Sequence, residues 1–231
     1  MISITRLSLA CFLAIALAGA ASAIPLTLTG PIAGNTVGPQ STSNPCVIAG
    51  TQCQQPASMG FNNYTQSGNI SSYNMFSTTP TANVADGVQG TPYTVAQLTG
   101  TLGSTSFNIA IDVNTTGAAG ETLLLFEVII NGAVAYDYIG PTNIGNVNNN
   151  GNGFADWTLG TVNLAGLAPG STVLFHAVWN NASDGAESFF LVPVTTPTVP
   201  EASTIQLLVA GGALLGLGCF IRRRRSATNE L

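Results

Sequence analysis

The chain has 231 residues, of which 45% are apolar and only 6% charged, and its formal net charge is −5. All five basic residues, Arg6, Arg222, Arg223, Arg224 and Arg225, stand near the termini, so residues 7–221 contain no lysine or arginine. Nucleic acid and anionic lipid are therefore poor partners for the central part, because both are held by cations that displace counterions or pair with phosphate. Phosphoryl transfer lacks its usual cationic groups for the same reason.

From the N-terminus, Arg6 precedes Leu7 to Ala20, a run of apolar and small residues that ends in Ala21-Ser22-Ala23. This is the pattern of a secretion signal over residues 1–23, cut after Ala23 by signal peptidase. The following 176 positions, residues 24–199, are enough for one domain with its own core. They carry eight acids and no basic side chain, a formal charge of −8 with His176 neutral.

Residues 24–89 are rich in Ser, Thr, Asn, Gln, Gly and Pro, which predicts extended and irregular structure. Cys46 and Cys53 are the only cysteines between the two ends. In an oxidising compartment their spacing predicts a local disulfide, contributing roughly 2–3 kcal/mol by loop closure. A metal site would need further Cys or His ligands nearby, and there are none.

From about Pro92 onward, short runs of β-branched and aromatic residues alternate with turn residues. Phe107, Ile109, Ile111 and Val113 keep period two, which buries one face of a strand. Thr122 to Ile130, then Asn131-Gly132, then Ala133 to Ile139 read as a hairpin, since Asn-Gly supplies the positive φ angles of a two-residue turn. Trp157 to Leu164, Thr172 to Trp179 and Glu187 to Val194 add three strands. The expected fold is all-β, an antiparallel, jelly-roll-like β-sandwich over residues 90–196, flanked by an N-terminal signal helix and one C-terminal transmembrane helix.

Few residues in this domain promise chemistry. Asn148, Asn150, Asn152, Gly153 and Asp156 echo the alternate-ligand spacing of a calcium loop, but neutral Asn fills three ligand positions and Leu159 stands where a bidentate Glu belongs. A plain surface loop fits better, with calcium as the one candidate ion. Asp184 and Glu187 form a second acidic pair beside a turn. His176, the single histidine, falls inside a strand pattern with no motif presenting a serine nucleophile. The expectation is no catalytic residue and no cofactor. Tyr64, Tyr73, Tyr93, Trp157 and Trp179 are the aromatics that a sugar-binding surface would use, although the two tryptophans sit at strand positions that favour the core. Asn63, Asn69, Asn114 and Asn181 head Asn-x-Ser/Thr triplets, which arise readily by chance in so polar a sequence.

Near the C-terminus, Thr204 to Ile221 supplies 18 residues whose one strongly polar side chain is Gln206. As a helix this run extends roughly 27 Å, close to a hydrocarbon core of about 30 Å. The cluster Arg222, Arg223, Arg224 and Arg225 would hold its far end in the cytoplasm, leaving a tail of residues 226–231 there and the large domain outside. Immediately before the span stands Val199-Pro200-Glu201-Ala202-Ser203-Thr204, and Pro200 disfavours helix at Val199. The order Pro-Glu-x-Ser-Thr, apolar helix, arginine cluster, chain end resembles the PEP-CTERM sorting signal of Gram-negative bacteria that make exopolysaccharide, with Ala202 replacing that family's usual second proline. The resemblance covers residues 199–225 and implies that an exosortase cuts this chain. It further implies a precursor held transiently in the inner membrane, N-outside and C-inside, and a mature form at the cell surface or outer membrane, or released. The expected function is that of a non-enzymatic surface or matrix protein associated with exopolysaccharide or biofilm. The alternatives are a carbohydrate-binding module and, behind it, a glycosidase using two carboxylates.

Overall fold

A computed structural model describes residues 22–49, 53, 56, 59, 62–63, 68–74, 90–115, 120–148, 152–183 and 187–194. Backbone contacts divide the chain into Met1–Val194 and Thr195–Leu231, and every described residue belongs to the first unit. The signal segment up to Ala21 lies outside the described residues. So do the sorting motif Val199, Pro200, Glu201, Ala202, Ser203 and Thr204, the apolar run 204–221, the topology residues Arg222, Arg223, Arg224 and Arg225, and the tail 226–231. Among the described residues no helix is long and apolar enough to cross a membrane, and the two flanking helices expected from sequence fall on residues outside the described ones.

Among the described residues, twelve strands and one helix follow in order: β1 (Ile24–Pro25), β2 (Leu28–Thr29), β3 (Cys46–Ala49), β4 (Asn62–Asn63), β5 (Gly68–Tyr73), β6 (Tyr93–Thr94), α1 (Val95–Leu102), β7 (Ser106–Asp112), β8 (Glu121–Ile130), β9 (Ala133–Ile144), β10 (Trp157–Asn163), β11 (Thr172–Ala182) and β12 (Ser188–Pro193). They form two six-stranded sheets. The first runs β1-β9-β8-β11-β5, with β6 also on β11, and the second runs β2-β10-β7-β12-β3-β4. Most pairs are antiparallel, but β1 with β9 and β3 with β4 are parallel, so the sheets are mixed rather than purely antiparallel.

The β8–β9 hairpin forms where the sequence predicts it. Asn131 and Gly132 have φ of 51° and 81°, the two positive values that a turn matching strand twist demands. The Asn131 side chain also accepts from the Thr172 N–H at 2.9 Å, which ties the turn to the start of β11.

Inward positions alternate as period two requires. Phe126 and Val128 of β8 and Val173, Phe175, Ala177 and Trp179 of β11 belong to one core cluster with Phe107, Ile109 and Ile111 of β7 and Phe189 and Leu191 of β12. Phe126 meets Phe189 with centroids 5.4 Å apart, Trp179 meets Phe189 at 5.3 Å, and Phe107 meets Phe175 at 6.2 Å. Each contact joins one sheet to the other, so a single aromatic-rich core holds both.

Two expectations change. In the part expected to be extended and irregular, residues 24–89, the extended segments are built into the sheets: all four residues of β3 are buried, with Cys46 and Ile48 paired to β12, and β5 pairs with β11. A four-residue run is too short to show a period in sequence, yet its neighbours bury it. On the outer face of the second sheet, Cys46, Ala49 and Cys53 pack with Ala110, Ala155 and Phe190 in a smaller apolar cluster. Cys46 and Cys53 stand at disulfide distance, with Cα atoms 6.1 Å apart. Reduction, or Cys53→Ser, is expected to lower folding stability by about 2–3 kcal/mol, measured as a shift of the urea midpoint at constant slope.

The second change is α1, absent from the sequence reading. Its signals are nonetheless local. Thr94 caps it by accepting from the Gln97 N–H, while the Gln97 side chain accepts from the Thr94 N–H at 2.8 Å, and Gly103 closes it at φ 62°. Val95, Leu98 and Leu102 are the buried face, with spacing of three and four.

Candidate functional site at the acidic end of the sheets

Antiparallel pairing brings four acids to one end of the sheets. Asp112 closes β7 and Glu121 opens β8, while Asp156 and Glu187 stand just before β10 and β12, both antiparallel partners of β7. Their exposures are 4%, 0%, 0% and 1% respectively. Buried carboxylates usually meet Lys or Arg, and residues 7–221 have neither. Backbone N–H groups and small polar side chains do this work instead.

Asp156 is the best served. One oxygen accepts from Val147 N at 2.7 Å and Asn148 N at 2.9 Å, and the other from Val113 N at 2.8 Å. These bonds hold its charge, although burial still pushes its carboxyl above the ordinary range against their opposing effect. Asp112 Oδ2 accepts from Gln40 Nε2 at 3.0 Å and from Gly153 N at 2.9 Å, while its Oδ1 has no hydrogen-bond partner among the described residues. Burial, partly opposed by the Gly153 bond and reinforced by the Asp156 charge, pushes the Asp112 carboxyl up to about 7.

Glu121 and Glu187 are held by adjacent residues. Thr115 Oγ1 donates to Glu121 Oε1 at 2.8 Å, with Ser183 N at 3.3 Å, and Asn114 N donates to Glu187 Oε2. The two carboxyl groups lie within hydrogen-bonding reach of each other. Burial first, and the Glu121 carboxyl second, drive Glu187 far above the usual carboxyl range. Glu121 Oε2 receives no N–H or O–H among the described residues. The end of the sheets therefore concentrates negative charge that a positive charge or a shared proton must offset. Among the described residues, no three His, Cys, Asp or Glu side chains converge on one point as a ready-made metal centre.

The described residues of the calcium-like spacing bond main-chain groups, as in the plain surface loop the sequence favours. Asn148 Nδ2 donates to Ile32 O at 2.6 Å and Ala155 O at 2.7 Å, and its Oδ1 accepts from Asn35 N. Asn152 bonds Asn35 and Asn148 and accepts from Phe154 N, and Asn150 lies outside the described residues. Each amide satisfies main-chain groups, which is the function of Asn in a tight loop. Asp184 also lies outside, as does Tyr64. Of the cleavage residues, Ala23 precedes β1 and Ala21 is not described.

Among the aromatics proposed for sugar stacking, Tyr93 and Trp179 are 1% exposed and belong to the core. Trp157 is half-buried and donates to Gly145 O at 2.9 Å. Tyr73 is stacked on His176 with centroids 3.9 Å apart, so one ring face is already covered. Those side chains do not assemble a row of free rings. Two exposed apolar side chains, Val134 and Ile139 of β9, lie on the outer face of the first sheet.

His176 is not alone. Its Nδ1 meets Glu127 Oε2 at 2.8 Å and its Nε2 meets Ser71 Oγ at 3.0 Å, because β11 lies between β8 and β5. Serine, histidine and glutamate stand in the order of a nucleophile relay, and acyl transfer would also need donors aimed at an oxyanion. A pocket of about 450 Å³ lies beside α1, lined by Val95, Thr99, Thr105, Leu164, Leu167 and Pro169, with no acid or base. Glu127 and Asp137 are cross-strand partners on the open sheet face rather than in a cleft. The row Ser71–His176–Glu127 instead cross-links three strands and gives a buried imidazole two partners.

Sequence reasoning missed Asp112, Glu121, Thr115 and Gln40. Their one sequence signal is an acid directly bordering an apolar strand, at Asp112 and Glu121. Comparison with protein-family models, curated proteins and solved structures returned no match.

Proposed function

We propose that this chain is an exported, non-enzymatic bacterial surface or extracellular-matrix protein, sorted by an exosortase through residues 199–225 and associated with exopolysaccharide. One observation carries the reading: Pro200-Glu201-Ala202-Ser203-Thr204, an apolar run to Ile221 and the cluster Arg222-Arg223-Arg224-Arg225 stand in that order behind a domain without any other cation after Arg6. Such an order makes a recognition step, a stop and a topology lock, the parts of a disposable anchor. Signal peptidase removes residues 1–23, the inner membrane holds the precursor until the exosortase acts, and the ectodomain passes outward. No cofactor enters this role.

The cargo fits it. Strand order β3-β12-β7-β10 in one sheet and β5-β11-β8-β9 in the other supports a jelly-roll-like sandwich, with the Greek-key connections of that architecture. Its net negative charge favours solubility in a hydrated layer.

The test is mass spectrometry of both termini in the native host. A mature chain that starts at Ile24 and ends near Val199 is expected. Replacing Arg222, Arg223, Arg224 and Arg225 together by alanine should let unprocessed chain accumulate, because the topology lock is gone. An intact chain of 231 residues as the final product of the unaltered gene would sink the proposal.

A further inference from the structure

We propose that the opposed carboxyl groups of Glu121 and Glu187 take up one divalent cation of the calcium class, with Asp112 as the neighbouring charge that draws it in. The site is built from both sheets. Glu121 opens β8 of the first, Glu187 precedes β12 of the second, and consecutive residues Asn114 and Thr115, just beyond β7, hold one acid each. That clamp fixes one oxygen of each group and turns the acids toward each other.

A second observation points to a ligand. Among the described residues, Glu121 is 0% exposed and its Oε2 accepts no hydrogen bond, and Asp112, 4% exposed, has the same deficit at Oδ1. Leaving charged oxygens buried without a partner is strongly unfavourable. The sequence offers no side-chain cation between Arg6 and Arg222 to relieve it. A single proton between Glu121 and Glu187 satisfies that pair and leaves Asp112 Oδ1 as it is. A doubly charged ion between Glu121 and Glu187 offsets the charges of that pair, and the nearby Asp112 carboxylate, which acts on Glu187 electrostatically, strengthens its attraction.

The donor set selects the ion. Carboxylate oxygens and the Thr115 hydroxyl are the donors at the place, without His or Cys, which suits calcium or magnesium over zinc or copper. Two carboxylates rather than a converging trio set a modest affinity, in the range of about 10⁻⁴–10⁻³ M found for extracellular calcium modules. The bound ion would join the starts of β8 and β12 and so rivet the two sheets at this end. The inference does not depend on the sorting signal and stands or falls separately from it.

The experiment uses the full-length chain in detergent, freed of metal with EDTA and dialysed to pH 7.5. Adding 5 mM calcium chloride, about five- to fifty-fold above the expected Kd, should raise Tm by about 5 °C. Terbium should titrate to one equivalent and be displaced by calcium. Glu187→Gln should abolish the Tm shift, and Glu121→Gln provides the same reading if the first variant does not fold, whereas Asp137→Asn on the outer sheet face should leave the shift intact. The proposal is overturned if calcium and magnesium both leave Tm unchanged within about 1 °C. It is equally overturned if Glu187→Gln and Glu121→Gln retain the full shift, since the effect would then be screening of surface charge.

Discussion

Replacing Asp156 by alanine is expected to lower folding stability by about 3–5 kcal/mol. Its two oxygens accept from the N–H groups of Val113, Val147 and Asn148, so the change leaves three donors without their acceptor at a place closed to water. Each such orphan costs about 1–3 kcal/mol. The sum is reduced because the variant no longer buries a carboxylate, whose raised pKa already records the strain of desolvation. The damage also spreads. Asn148, positioned by Asp156, in turn bonds Ile32 and Ala155, so the loop before β10 and the segment after β2 lose their common anchor. Asp156→Asn should fall between, since an amide keeps one acceptor and sets N–H against N–H at the other. Urea unfolding monitored by Trp fluorescence checks this, and a loss below about 1 kcal/mol for the alanine variant would show that the loop does not depend on Asp156.

The second large effect is an inverted pH profile. In EDTA, stability is expected to fall as pH rises from about 5 to 8, whereas most proteins hold or gain stability over that interval. The sign follows from Asp112 and Glu187. Both carboxyls are raised by burial, Asp112 to about 7, so the folded state keeps protons that the unfolded chain releases above its ordinary values of 3.8 for Asp and 4.5 for Glu. Their contribution is complete below those values and is lost as pH climbs through the folded pKa. For Asp112 alone the loss is on the order of 2–4 kcal/mol, and Glu187 extends the decline to higher pH. Asp112→Asn should make the decline between pH 5 and 7 shallower, leaving the part due to Glu187. Calcium should reverse it, because the ion needs ionised carboxylates. Thermal unfolding at pH 5, 6, 7 and 8, with and without calcium, gives the comparison, and a Tm in EDTA that climbs steadily across the series would contradict the proton count assigned to Asp112.

Local chemistry explains why some elements were legible in advance. Asn131-Gly132 needs no partner to favour positive φ, and the long apolar runs on either side can only be strands of a hairpin. Strands β10, β11 and β12 likewise carry enough alternation to stand out, though their ends move by one to three residues. Helix α1 was legible in principle through its Thr94–Gln97 capping pair and Gly103, but eight residues provide barely two turns of period. Strand β3 was not legible, because Cys46 to Ala49 has no alternation and is strand only because β12 pairs with it and Ala110 and Phe190 cover it.

The acids show the same division. Composition alone established that the domain has an excess of carboxylates and no lysine or arginine, and that the positively charged residues are confined to the ends; this depends only on counting. Which carboxylates would be buried, and beside what, was decided by strand pairing. Asp112, Glu121, Asp156 and Glu187 span 76 positions in sequence, from 112 to 187, and meet because β8, β10 and β12 all start where β7 ends. His176 gained Ser71 and Glu127 in the same way, across a sequence distance of 105 on one side and 49 on the other. A period-two pattern tells which face of a strand is dry; it carries no information about the strand next to it, and long-range pairing alone places these side chains together.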